Sequence, residues 1–173
     1  MALVNKYNLE SFDPEVLREY DIRGIVDKNL TINTAYSIGR TFGHIIYTKS
    51  KFKLVVVGYD GRLTSPKLNE ALCQGLLKSG INVISIGMCP TPMTYFAHYY
   101  LKSDAAVMIT GSHNPPEFNG FKMMLGNRGF FGDDIQRLGC LAQNGDFATG
   151  IGSSEDIEIQ DSYVARLIEG LDL

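Results

Sequence analysis

Short apolar runs and helical stripes alternate along the chain. Leu54-Val55-Val56-Val57-Gly58 is rich in β-branched residues and ends in Tyr59-Asp60-Gly61, so it predicts a buried strand followed by a loop. Ser65 suits an N-cap and Pro66 a first helical position. Leu68, Ala71, Leu72, Leu76 and Leu77 then share one helical stripe, and Gly80 supplies a stop. Residues 82–87 predict a second strand, and Pro90-Thr91-Pro92 punctuates the turn into a helix that runs to about Leu101. Residues 105–110 predict a third strand and 121–125 another. Upstream, Ala35, Ile38, Phe42, Ile45 and Ile46 predict a helix over 31–47. Asp133-Asp134 opens a short helix to about Leu141, residues 142–154 read as a Gly/Asn/Ser-rich loop, and a last helix covers 161–171.

Strand, helix, strand, helix, strand predicts right-handed βαβ units. The expected fold is α/β: a three-layer α/β/α sandwich with a mostly parallel mixed sheet. Residues 1–150 are expected to form the domain, and 151–173 a C-terminal helix; the resemblance set out below implies that this helix leads toward a second domain.

Composition changes this picture little. With 45% hydrophobic and 20% charged residues, the chain falls in the ordinary globular range, so a packed core is expected rather than disorder. The net charge of −3 and the lack of a basic stripe argue against nucleic acid as a partner. No apolar run approaches the ~20 residues of a bilayer span, so no membrane association is expected. The first residues mix Asn, Lys, Glu and Asp instead of forming a leader, which points to the cytoplasm. Cys73, Cys89 and Cys140 are odd in number and lack CxxC spacing, so they read as reduced, partly buried thiols, with Cys89 the more exposed in its turn-like segment.

Two loops fall at the carboxyl ends of predicted strands, where ligands gather in such folds. One is Tyr59-Asp60-Gly61-Arg62; the other is the stretch from Gly111 to Gly120. In the second, a serine hydroxyl follows a buried strand, Gly111 permits a turn or close approach, and Pro115-Pro116 stiffens the exit. His113 and Asn114 add hydrogen-bonding groups. Lys122 adds a cation suited to phosphate charge or proton transfer. Arg23 and Arg62 offer planar forks for phosphate oxygens, and Asp21 and Asp60 could orient them. A small phosphorylated ligand suits this set. Taken singly, each feature has an ordinary reading: a polar turn, a solvated lysine, an Asp-Gly turn, and an Asp21–Arg23 ion pair. Tyr95, Tyr99 and Tyr100 read as packing rather than a sugar platform.

Read together and in order, Glu19-Tyr20-Asp21-Ile22-Arg23-Gly24, Val57-Gly58-Tyr59-Asp60-Gly61-Arg62 with Ser65-Pro66, Gly87 with Pro90-Thr91-Pro92, and TGSHNPPEFNGFKM resemble the N-terminal domain of the α-D-phosphohexomutases. The resemblance spans about residues 17–125 and leans toward the phosphomannomutase/phosphoglucomutase branch. It implies that Ser112 carries a phosphoryl group and exchanges it with a hexose phosphate through a bisphosphorylated sugar. It further implies catalytic roles for Ser112, Lys122 as general acid/base, His113 beside the nucleophile, and Arg23 in the phosphoserine environment. Tyr20, Asn114 and Arg62 are expected at the substrate. The expected cofactors are Mg²⁺, ligated through the phosphoserine at Ser112, and a hexose 1,6-bisphosphate as activator and intermediate. The expected partners are mannose or glucose 1- and 6-phosphates and the remaining domains of the enzyme.

The sequence also departs from that family. The DGDxDR loop that supplies the other metal ligands is absent, and Gly132-Asp133-Asp134 has the wrong spacing. The GEMSGH-type and RxSxTEP-type segments of further domains are missing too. The chain is therefore expected to be a piece cut at a domain boundary, or else a natural single-domain descendant, with little or no mutase activity alone. The rival readings are a non-catalytic module that binds phosphosugars or partner chains, and a serine hydrolase, which lacks its GxSxG elbow here.

Overall fold

The computed structural model describes residues 6–145 and 147–171. The expectation about the leader character of the first residues, and the outermost ends of both predicted segments, lie outside the described residues. After a 3₁₀ turn at Pro14–Val16, the elements run β1 (Ile22–Ile25), α1 (Ile32–Lys49), β2 (Leu54–Tyr59), α2 (Ser65–Lys78), β3 (Asn82–Met88) and α3 (Thr91–Tyr100). They continue with β4 (Ala105–Ile109), β5 (Phe118–Leu125), β6 (Arg128–Phe130), α4 (Asp133–Asn144), β7 (Ser154–Asp156) and α5 (Gln160–Glu169).

The strands form one sheet in the order β1-β5-β4-β2-β3-β7, with β6 pairing β5 beside β1. β2 pairs in parallel with β3 and β4, and β3 with β7. β5 pairs antiparallel with β4, β1 and β6, so it alone runs against the others among the described residues. The sheet is mixed and mostly parallel.

Strand alternation divides the core in two. Val55 and Val57 of β2, Val107 and Ile109 of β4, and Phe121 of β5 face a large core closed by α1, α2 and α4. Val56, Ile84 and Met108 face the opposite side, under Met93 and Ala97 of α3 and Ile159 at the start of α5. Helices therefore cover both faces, giving the three-layer sandwich. α1 is capped by Thr31, whose hydroxyl accepts from the Thr34 amide at 3.0 Å while the Thr34 hydroxyl accepts from the Thr31 amide at 2.9 Å. The Glu10 carboxylate accepts from both hydroxyls, which ties the N-terminal segment to this cap.

Several elements differ from expectation. β1, β6 and β7 are short edge strands without a clear apolar period, and β7 joins the sheet within a segment that reads as a leader to another domain. β5 starts at Phe118, so three residues of the predicted loop belong to a strand. Ser65 is not the cap of α2: Thr64 holds that position, Ser65 and Pro66 occupy the first turn, and the Ser65 hydroxyl donates to Asp60. Cys89 is buried, Cys73 half-buried and Cys140 exposed, which reverses the expected order. Tyr99 and Tyr100 are exposed, although Tyr100 stacks on Phe96 with centroids 5.2 Å apart. No helix among the described residues is long and apolar enough to cross a membrane.

α1 and α2 meet through Gly39 and Gly75, where a methyl group on either would overlap backbone of the facing helix, the Leu72 or the Tyr36 carbonyl oxygen. Gly75→Ala is expected to lower stability by about 1–3 kcal/mol through overpacking at this crossing. A urea unfolding midpoint equal to wild type would show that the helices separate without loss.

Candidate active site

The loop between β4 and β5 is held from beneath by one side chain. Arg62 Nη1 donates to the carbonyl oxygens of Pro115 at 2.7 Å and Phe118 at 3.0 Å. Its Nη2 donates to those of Ser112 at 3.0 Å and Asn114 at 2.7 Å. Nε donates to Asp60 Oδ2 at 3.2 Å, so all five guanidinium N–H groups are engaged. Asp60, at the carboxyl end of β2, anchors the arrangement. Its Oδ1 accepts from the Ser65 hydroxyl at 2.6 Å and the Arg62 amide at 3.1 Å, and its Oδ2 also accepts from the Gly111 amide at 3.3 Å. Burial pushes the Asp60 carboxyl up, but hydrogen bonds from Ser65, Thr110 and Arg62, together with the guanidinium charge, outweigh it and leave the group below its ordinary value. Gly111 lies against the guanidinium so closely that a methyl group there would overlap it.

Above this support the chain turns at Ser112 and His113, closed by the Asn114 amide donating to the Gly111 carbonyl at 3.0 Å. Ser112 takes φ +54°, a left-handed conformation that costs a non-glycine residue about 1–2 kcal/mol. Its amide donates to the Thr110 hydroxyl at 2.8 Å. Its own side chain is exposed and has no protein partner, as is the case for His113 beside it.

A second group converges from β1 and β5. Register pairs Arg23 with Gly120 and Lys122 with Met108, so both cations lie on the α3 face while Ile22 and Phe121 enter the larger core. Arg23 Nη2 and Lys122 Nζ (3.0 Å) both donate to Asp21 Oδ2, and Arg23 Nη1 donates to Asn114 Oδ1 at 2.5 Å. Asn114 thus joins the serine turn to the β1 cation. Two adjoining hollows of about 370 and about 560 Å³ share Tyr20 and Lys122. The smaller is mainly apolar, walled by Tyr95, Tyr99, Phe130 and Phe131. The larger holds Asp21, Arg23, Asn114 and Phe118. Burial, with the Asp21 carboxylate nearby, raises the Tyr95 phenol above its ordinary value.

Residues 14–147 match the family described as phosphoglucomutase/phosphomannomutase, alpha/beta/alpha domain I. The chain belongs to this family. It is 41% identical over 152 residues to a phosphomannomutase/phosphoglucomutase of Pseudomonas aeruginosa, covering 88% of this chain and 33% of that protein. It is 43% identical over 162 residues to a phosphoglucomutase of Neisseria gonorrhoeae, covering 92% and 35%. The chain therefore spans about a third of the length of the curated relatives it matches. The crystal structure of a phosphoglucomutase/phosphomannomutase family protein from Burkholderia thailandensis superposes with a TM-score of 0.87 at 39% identity, over 94% of this chain and 37% of that one. Parafusin, a phosphoglucomutase of Paramecium, shares the fold at 12% identity with a TM-score of 0.72, over 94% and 36% of the two chains.

In this mutase-family domain, Asn114, Arg23, Lys122 and Tyr20 line the larger hollow, and Ser112 and His113 stand exposed on the turn that Asn114 belongs to. Arg62 does not reach out to that hollow. Its donors are spent on the protein, so its place in the structure is beneath the loop. Asp21 and Asp60 do pair with the arginines as the sequence suggests. What sequence reasoning misses is Asn119. Its side-chain amide donates to the hydroxyls of Thr64 and Ser65 at 2.9 Å each, locking the start of β5 to the start of α2. The signal available was an asparagine beside a glycine just before the predicted strand at 121–125. Among the described residues no cluster of three or more acidic, histidine or cysteine side chains could hold a metal ion. The Asp21 and Asp60 carboxylates already accept from Arg23, Lys122, Arg62 and Ser65, so the residues present do not form a Mg²⁺ site by themselves.

Because the folded Asp60 carboxyl lies below its ordinary value, its contribution to stability is present above about pH 4 and is lost as pH falls through the folded value. The stability advantage of wild type over Asp60→Asn is expected to shrink between pH 5 and pH 2 in urea titrations, by the linkage that governs paired carboxylates. An advantage that is constant across that range would contradict the assignment.

Proposed function

We propose that this domain carries the phosphoserine of a phosphomannomutase/phosphoglucomutase that interconverts hexose 1- and 6-phosphates. The observation that carries the reading is the exposed Ser112 hydroxyl, on a turn that Asn114 ties to the Arg23–Asp21–Lys122 group. Phosphoryl transfer depends on positioning and charge neutralisation more than on covalent chemistry by the protein. In the forward step the Ser112 Oγ–P bond breaks as a sugar hydroxyl oxygen forms the new P–O bond. The proton that this hydroxyl loses is the one the departing serine oxygen needs, and we assign Lys122 to move it. The bisphosphorylated sugar then reorients, and its other phosphate returns to Ser112. Arg23 neutralises phosphate charge, Asn114 keeps Arg23 and the turn in register, and Tyr20 and His113 contact the substrate.

The mannose or glucose phosphates are the proposed substrates, a hexose 1,6-bisphosphate is the proposed activator, and the cytoplasm is the proposed location. A Mg²⁺ ion at a phosphate oxygen on Ser112 would draw its other ligands from beyond this chain. α5 buries none of its side chains and turns Val164, Leu167 and Ile168 outward, which supports packing against further domains.

Incubation with a hexose 1,6-bisphosphate and Mg²⁺ is expected to add one phosphate to Ser112, located by peptide mass spectrometry and absent from Ser112→Ala. Phosphate on another residue, or none on folded protein, would count against the assignment. Steady-state mutase turnover by the chain alone is expected to be negligible, and turnover matching that of full-length relatives would overturn the view that further domains are required.

A further inference from the structure

The four carbonyl groups bound by Arg62 belong to peptide units whose opposite edges face away from it. A trans peptide is planar with its C=O and N–H antiparallel, so fixing the Ser112 carbonyl on Arg62 also fixes the direction of the His113 N–H. Two of the other three bound carbonyls, those of Asn114 and Pro115, precede prolines and have no N–H to present. Of the amides from Thr110 to Phe118, those of Thr110, Gly111, Ser112, Asn114 and Phe118 donate within the protein. His113 and Glu117 have no acceptor, and only His113 adjoins the serine. Its N–H emerges on the exposed side of the turn, one peptide bond from the Ser112 hydroxyl. A guanidinium on the carbonyl also polarises that peptide, strengthening the N–H as a donor. We propose that Arg62 is a positioning residue that aims the His113 backbone N–H at the phosphoryl oxygens carried by Ser112.

Gly111 belongs to the same device, because a side chain there would displace the guanidinium. The arrangement accounts for a left-handed serine whose carbonyl, rather than its hydroxyl, is held. It also explains how a site on an acidic chain offers a donor that no titration removes.

The inference rests on Ser112 as the phosphoryl carrier, but its test needs no phosphate donor. Phosphoserine is built into position 112 during translation by codon suppression, and the amide spectrum is followed by ¹H–¹⁵N NMR against pH, with ³¹P shifts in parallel. The His113 amide proton is expected to move downfield as the phosphate takes its second charge, with a midpoint below the ordinary value of about 6. Arg62→Lys keeps the charge but not the fork, and is expected to cut that movement by about half or more and raise the midpoint. Asp60→Asn, which weakens the anchor of Arg62 along with the bonds from Ser65 and Gly111, is expected to act in the same direction. The proposal is overturned if the wild-type His113 amide does not move, or if it moves equally in Arg62→Lys. Should Arg62→Lys fail to fold, equal movement in Asp60→Asn overturns it. A serine that accepts no phosphate from a sugar bisphosphate would sink the proposed function and leave this titration unaffected.

Discussion

One guanidinium organises the working end of this domain. Without Arg62, four carbonyl groups of the 112–118 stretch would turn to water, and the loop would keep only the few bonds made by Ser112, Asn114 and Phe118 to hold its shape. Charge-assisted hydrogen bonds of this kind are about twice as strong as neutral ones, and a planar fork fixes direction as well as distance. The Asp60 carboxylate is what makes the fork rigid. It takes Nε, the Gly111 amide and the Ser65 hydroxyl at once, so the ends of β2 and β4 and the start of α2 meet at one side chain. The parallel order β4-β2-β3 brings these chain segments side by side, and the register of β5 carries Lys122 and Asn119 to the same edge.

The layers follow from simpler forces. Alternating valines in β2 feed two cores at once, and a strand buried on both faces must read as a continuous apolar run, as it does. The reversed β5 has a local purpose. By returning antiparallel along β4, it lets the serine loop span a short gap instead of a long crossover, and it brings β1 alongside so that Arg23 lies near Asn114.

The sequence made the layered architecture legible because the central strands and α1 to α3 have strong periodicity. It did not reveal β1, β6 or β7, whose three or four residues are stabilised by the sheet they join rather than by their own propensity. The site divides in the same way. Ser112, Lys122 and Arg23 stand out as candidates because their residue types announce chemistry, and Ser112 because its loop follows a buried strand. The task of Arg62 could not, since a linear sequence shows that an arginine is available but not that four carbonyl groups fifty residues away will consume it. Ser65 was misjudged for a related reason: a serine before a proline suits a cap, and only the tertiary position of Asp60 gives its hydroxyl a better acceptor.

The backbone at position 112 has a consequence for the choice of amino acid. A threonine there would also place a hydroxyl on its Cβ. Its β-branch, however, crowds the carbonyl in a left-handed conformation that serine tolerates at moderate cost and branched residues resist. Two hydroxyl-bearing residues are thus unequal on this turn. Selection between them is made by torsional sterics, before any reactivity is expressed.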